Sequence, residues 1–425
     1  MNEKNYPAVD EKVYRTVLPN GLTVMVSPRP GFERKVAYFV TNYGSIHTRF
    51  TLDGEQIVTP EGVAHYLEHK MFDLPGRDVS EEFAALGANP NAFTSYDMTA
   101  YYFSCTENFE KCLRLLLEFV STPYFTRESV DKERGIIAQE ILMYADSPDS
   151  RVFEDLMELM YRHHPVRHPI AGSVESIGRI SPEILYQCHR AFYSPENMIL
   201  CVAGDVDPHE VAAIAESVLP KQRGSAGIAA PLPAEELTCP ASYHQRQMDV
   251  AMPTFQLGFK CPTGLTGEAF ARWELTAELA VEALMGESSA LYTRLYEQGL
   301  IDSSFGAGVE TIDGCAMIVC GGDSDEPEAV RDAIIAQAEA LARTGISDEQ
   351  FRRMKRSALG RRIKELDSFE STCFRLCAYH YEGYDYMNFP ETFASLEPRA
   401  LAEFLGENIT QERCAMAVVL PRDKR

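Results

Sequence analysis

No run of 18 apolar residues occurs in this 425-residue chain, so no membrane-spanning helix is expected. The opening segment MNEKNYPAVDEKVYRT is polar and mixed in charge, with no apolar stretch, so no secretory leader is expected and the expected compartment is the cytoplasm. Positive charge is scarce: 40 Lys and Arg stand against 63 Asp and Glu, a formal net charge of −23. That sign repels phosphate backbones and anionic lipid, so neither nucleic acid nor a membrane surface is an expected partner. None of the eleven cysteines, an odd number, forms a C-x-x-C pair, and Cys105, Cys112, Cys201, Cys261 and Cys320 lie in apolar stretches. Buried, reduced thiols are the reading that fits. Cys373 and Cys377 share a helical face, but no His or Cys with matching spacing stands near to complete a metal site. Neither G-x-x-x-x-G-K-[ST] nor G-x-S-x-G occurs, so phosphate-loop and serine-hydrolase readings have no support.

What is present is ordinary in bulk and informative in order. Hydrophobic residues make up 45% and charged residues 24%, enough to fill sizeable cores in two or three domains. A Pro-Asn-Gly turn at 19–21 joins strand patterns at 12–17 and 22–26, and a further strand pattern runs over 35–41. Helical spacing follows at 61–72, 81–86 (with Ser80 as N-cap), 107–120, 127–144, 151–161 and 182–192, with strands at 98–105 and 197–203. The stretch from 220 to 240 is rich in Pro, Gly and Ala and has no period. Beyond it the plan repeats: strands at 254–260, 304–309 and 316–320, helices at 268–284, 327–343 and 348–363, and a closing CAMAVVL strand that resembles NMILCVA at the end of the first half. This order predicts an α+β fold of two similar domains, each a mostly antiparallel sheet covered by helices on one face. The expected divisions are 1–219, a linker at 220–245, and 246–425.

One segment carries chemistry. In EGVAHYLEHKMF at 61–72, His65 and His69 stand one helical turn apart on one face, with Glu68 beside them. Val63, Ala64, Tyr66 and Leu67 make the rest of the helix apolar, so it is expected to be buried. Burying two imidazoles and a carboxylate without partners costs on the order of several kcal/mol. A divalent metal removes that cost, and His at i, i+4 is a zinc-ligand spacing. Catalytic zinc takes three protein ligands and keeps one position open, so a third ligand is needed on another apolar helix. The pattern at 127–144 offers Glu133 and Glu140 on the flank of a stripe formed by Val130, Ile137, Ile141 and Tyr144. Seven residues apart, the two carboxylates point within about 20° of each other. Chance alone yields H-x-x-E-H on the order of 0.02 times in a chain of this composition. The alternative is a pair of core histidines bonded to backbone or carboxylate, with Glu68 on the surface.

H-x-x-E-H with a distal Glu is the inverted zinc-peptidase motif, and the sequence resembles the pitrilysin/insulinase family of metallopeptidases over nearly its whole length. The resemblance extends to ERGIIAQE at 133–140, where the family carries E-R-x-x-x-x-x-E, to NAFT at 91–94, matching N-A-x-T, and to FYSPENM at 192–198. In length the chain is similar to half of a full-size pitrilysin. The resemblance implies the fold of pitrilysin and the mitochondrial processing peptidase. It implies one Zn²⁺ per chain held by His65, His69 and Glu140. Glu68 would be the general base on the zinc-bound water, and Glu133 a catalytic-site carboxylate that orients a ligand histidine. Asn91, Ala92, Phe93 and Thr94 would bind substrate beside a sheet edge that pairs with extended peptide. The implied function is a zinc endopeptidase acting on peptides or small unfolded proteins.

Half-length members of this family work as pairs, in which one subunit carries zinc and the other supplies an Arg and a Tyr from a segment like L-R-E-x-G-L-x-Y. Here LYEQGLID at 295–302 puts Tyr296 at the Arg position and Asp302 at the Tyr position. The chain is therefore expected to be the zinc-bearing half of a heterodimer whose partner lacks the zinc motif and supplies both side chains. The competing reading is a non-catalytic scaffold subunit of the same fold. A protease dedicated to one ribosomal peptide shares its chemistry with a general peptidase and differs only in substrate. His163, His164 and His168 are interrupted by Pro165 and Pro169 and are expected in a solvated loop. Arg352, Arg353, Lys355, Arg356, Arg361 and Arg362 are expected on the exposed face of a long helix.

Overall fold

The computed structural model describes residues 1–221 and 227–422. Positions 222–226 of the expected linker lie outside the described residues. Contacts divide the chain into two compact units.

The first unit comprises Met1–Ile141, Pro169–Pro231 and Ile363–Asn388. Its seven-stranded sheet runs Asn2–Tyr6, Glu11–Val17, Thr23–Pro28, Met198–Gly204, Lys35–Thr41, Thr99–Cys105, Asn89–Thr94. All neighbours are antiparallel except Thr23–Pro28 and Met198–Gly204, which pair in parallel. Alternate residues of the strands face one core: Val24, Val26, Ala37, Phe39, Tyr101, Phe103, Leu200 and Val202. They pack with Leu113, Leu116, Leu117 and Val120 of helix Phe109–Ser121 and with Tyr66 and Leu67 of helix Val63–Met71. On the other face, Tyr38 and Cys201 are register partners on adjacent strands. A single helix, Phe369–Tyr381, covers them and brings Cys373 and Cys377 against Cys201.

The second unit comprises Leu142–His168, Leu232–Arg362 and Phe389–Arg425. Its five strands run Tyr243–Met248, Cys414–Pro421, Thr254–Cys261, Cys315–Asp323, Gly306–Ile312. Here the last strand in sequence lies parallel to the first and antiparallel to the second, as Met198–Gly204 does with Thr23–Pro28 and Lys35–Thr41 in the other sheet. This is the strand order of the last five strands of the first sheet, so the repeat visible in NMILCVA and CAMAVVL is the repeat of an inserted central strand. Helix Pro148–Met160 packs on this sheet, where Leu156 and Met160 press on Gly258. A Cβ at Gly258 would lie 2.1 Å from the Met160 sulfur, so any larger residue there would force the Met160 side chain to move.

Each unit thus takes a helix from the other half of the sequence: Pro148–Met160 joins the second sheet and Phe369–Tyr381 the first. The contacts do not follow one cut near 220–245. The physical reason is that both faces of the central strands are apolar. Ile199, Cys201 and Ala203 are as buried as Leu200 and Val202, so each sheet needs a second cover.

Most elements expected from periodicity occur within a few residues of their expected ends. The helix at Val79–Ala85 is capped by Asp78, whose carboxylate accepts from Ser80 N at 2.9 Å and Glu81 N at 3.2 Å, and not by Ser80. Asn89–Thr94, expected as a lead-in beside an edge, is itself the edge strand.

Candidate metal centre

The helix Val63–Met71 starts after Gly62, which has φ +88°; a Cβ there would lie 2.4 Å from Ala171 O. Only glycine permits this entry. Val63, Ala64, Tyr66, Leu67 and Met71 are buried in the core, which leaves His65, Glu68 and His69 on the remaining face, all partly buried. The Tyr66 hydroxyl donates to Val130 O and ties this helix to Arg127–Ala145. Val130 and Ile137 of that helix are fully buried, and this packing turns Glu133 and Glu140 toward the histidines. Tyr144, expected in the same stripe, is 43% exposed.

His65 Nε2 lies 3.7 Å from Glu140 Oε1, and His69 Nε2 lies 3.5 Å from Glu140 Oε2. One ligand atom each from His65, His69 and Glu140 fall within 4.8 Å of one another, and no other such trio of His, Cys, Asp or Glu occurs among the described residues. A tetrahedral zinc with bonds of about 2.0–2.1 Å holds its ligands about 3.4 Å apart, so the observed spacing suits it. His69 Nδ1 stands 3.0 Å from Glu133 Oε1, which leaves Nε2 as the nitrogen that could hold a metal. His65 Nδ1 is buried with no hydrogen-bond partner among the described residues, so hydrogen bonding does not account for this buried imidazole. Two imidazoles and a carboxylate are the donor set zinc favours.

The two imidazoles shift in opposite directions. Burial and the adjacent His69 bring the His65 imidazole down to about 4, so it is neutral near pH 7 and keeps a lone pair. Burial also lowers His69, but the hydrogen bond to Glu133 and the charges of Glu68, Glu133 and Glu140 outweigh it and raise its pKa. Burial raises Glu68, against the opposing pull of a hydrogen bond from Thr94 and the charge of His69. That bond, from Thr94 Oγ1 to Glu68 Oε2, is 2.7 Å long.

The structure therefore brings together six of the sequence-predicted positions: His65, Glu68, His69, Glu133, Glu140 and Thr94. It separates others. Phe93 packs on Tyr102 and Phe374, with ring centroids 6.4 and 5.9 Å away, on the face covered by Phe369–Tyr381. Asn91 Oδ1 accepts from Ala92 N at 2.9 Å and the side chain is exposed. Ala92 packs against the core. Two expectations about exposure fail. His164 is fully buried, and Arg362 is 5% exposed, bonded to Glu278 at 2.5 Å. Sequence reasoning missed the Thr94–Glu68 bond and the Tyr101–Tyr193 hydroxyl pair at 2.8 Å. The only available signal was strand alternation, which puts Thr94 on the core side.

Paired sheets of shared strand order, with helices packed on them, define a two-domain pitrilysin-like fold. A model of the insulinase family, peptidase family M16, matches residues 58–174, and one described as the peptidase M16 inactive domain matches residues 179–358. The chain belongs to this family. It is 36% identical over 98% of both chains to the uncharacterized zinc protease YmfH of Bacillus subtilis. It is similar in structure to a putative M16-like peptidase from Alicyclobacillus acidocaldarius, with TM-score 0.93 and 33% identity over 97% of this chain and 99% of that one. The fold is shared with a protease from Helicobacter pylori at TM-score 0.80 and 20% identity, covering 97% of this chain and 100% of that one. No helix among the described residues is long and apolar enough to cross a membrane.

Proposed function

We propose that this chain is a zinc endopeptidase that cleaves peptides or small unfolded proteins, with one Zn²⁺ held by His65, His69 and Glu140. The observation that carries this reading is the convergence of two imidazole nitrogens and one carboxylate from two helices, with the Glu68 carboxylate on the same face as the imidazoles and bonded elsewhere. Relatives named zinc proteases support it. Bound zinc supplies an acidified water and an electrophile for the scissile carbonyl. Glu68 takes the proton of the attacking water and returns it to the leaving amine. A carboxyl raised by burial suits both halves of that shuttle. Glu133 accepts Nδ1–H of His69, fixing the tautomer and the ring. Extended peptide adds as a strand to the edge formed by Asn89–Thr94, where main-chain bonds give affinity with little sequence reading, and Asn91, Ala92 and Phe93 bind through their backbone in that edge. In this reading 1–219 is the zinc-binding domain and 246–425 a similar domain without zinc.

The chain acts as the zinc-bearing half of a cytoplasmic heterodimer. Tyr296 is 53% exposed and stacks on Tyr292 with ring centroids 6.1 Å apart. The Asp302 carboxylate accepts from the backbone and hydroxyl of Ser304. Neither position offers the cation or the phenol expected there, and a related subunit without the zinc motif supplies them.

Glu68→Gln protein is expected to hold about one zinc per chain and to lose peptide cleavage. Co-expression with the partner is expected to give chelator-sensitive cleavage that this chain lacks alone. A wild-type chain that takes up no zinc would overturn this function.

A further inference from the structure

A threonine hydroxyl has a single proton to donate. Thr94 gives it to Glu68 Oε2, 2.7 Å away. A substrate carbonyl needs a donor, and while this bond stands the Thr94 side chain has none left. Its surroundings hold it in that role. Thr99, its register partner on the adjacent strand, is fully buried and donates to Tyr43 O at 2.8 Å, with its oxygen 3.5 Å from Thr94 Oγ1. Tyr193 bonds to Thr99 and to the Tyr101 hydroxyl, the latter at 2.8 Å. A chain of buried hydroxyls thus stands behind the one that reaches Glu68.

We propose that Thr94 is a positioning residue for Glu68 and not a substrate contact, so that the strand whose outer edge receives peptide also fixes the orientation of the base. This rests on Glu68 being the general base, as proposed above. A carboxylate with one oxygen tied to Thr94 presents its other oxygen in a constant direction, and peptide pairing along Asn89–Thr94 stiffens the same strand.

The test compares Thr94→Val, which keeps shape and strand preference but loses the hydroxyl, with Thr94→Ser, which keeps it. Thr94→Val is expected to lower kcat about 10- to 100-fold, the worth of a hydrogen bond to a charged group, with KM and zinc content unchanged. Thr94→Ser is expected to restore most of kcat. Crystals of Thr94→Val are expected to show the Glu68 carboxylate displaced, and those of Thr94→Ser to show it in place. If Thr94→Val does not fold, Thr94→Ala carries the same expectations. A raised KM at constant kcat, or an undisplaced Glu68 in the variant without the hydroxyl, would overturn the proposal. An inactive wild-type heterodimer would instead overturn the peptidase function, and the crystals would still decide what Thr94 does.

Discussion

In the helix Val63–Met71 the imidazoles of His65 and His69 face carboxylates, whereas in the turn after helix Pro148–Met160 the imidazole of His164 faces backbone. His164 Nδ1 accepts from Val166 N at 3.1 Å and its Nε2 donates to Asp313 O at 3.0 Å, so both nitrogens are satisfied. In the same turn Glu235 Oε1 accepts the backbone N–H groups of Arg162, His163 and His164. Burial pushes the Glu235 carboxyl up, but those three donors and Lys260 bring it down to about 2. At the other site His65 Nδ1 has no partner among the described residues, and two Nε2 atoms point at one carboxylate. Burial of a histidine is therefore uninformative by itself. The partner set separates a structural imidazole, closed on backbone, from one with a lone pair aimed at a shared point.

The contrast is open to attack at four places. The largest effect belongs to Glu68→Gln, expected to reduce cleavage by about 10²- to 10⁴-fold while metal analysis finds zinc unchanged; retained activity would remove Glu68 from the chemistry. Next is a pH effect on a second backbone-bound imidazole, His189, which bonds Val120 O at 3.0 Å and is held by burial at about 4. The unfolded chain binds this proton below 6.5 and the folded chain only near 4. Its contribution to stability is thus complete above 6.5 and falls as pH drops toward 4, by about 3 kcal/mol in all. Urea unfolding of wild type and His189→Gln at neutral and acid pH is expected to show the wild type losing more. Third, Glu133→Gln is expected to weaken zinc about 10- to 100-fold in competition with a chelating dye. Smallest, His164→Gln is expected to cost about 1 kcal/mol of stability in thermal melts and to leave zinc content alone; zinc loss there would erase the distinction between the two regions.

How much of this was legible beforehand varies with the kind of interaction. The motif helix was, because H-x-x-E-H needs only local geometry to put three polar groups on one face. The helix at 127–144 was recognised, but its two glutamates were not separable by spacing: seven residues apart, they share a direction. Which meets both imidazoles and which meets only His69 Nδ1 depends on how the helices are stacked, set by Val130, Ile137 and the Tyr66 bond. His164 and Arg362 were misread as exposed because a polar side chain is buried whenever its partners are supplied from distant segments. The helices that cover the second faces of the sheets were placed by no pattern.

From sequence alone came the α+β repeat, the similar strands that close its two halves, and the candidate ligands on two helices, since each follows from short-range periodicity and side-chain chemistry. Tertiary packing alone decided three further matters: where the inserted strands lie in each sheet, which sheet each displaced helix covers, and that Thr94 spends its hydroxyl on Glu68. Those depend on the approach of segments far apart in the chain, where shape and buried hydrogen bonds, and not local propensity, choose the arrangement.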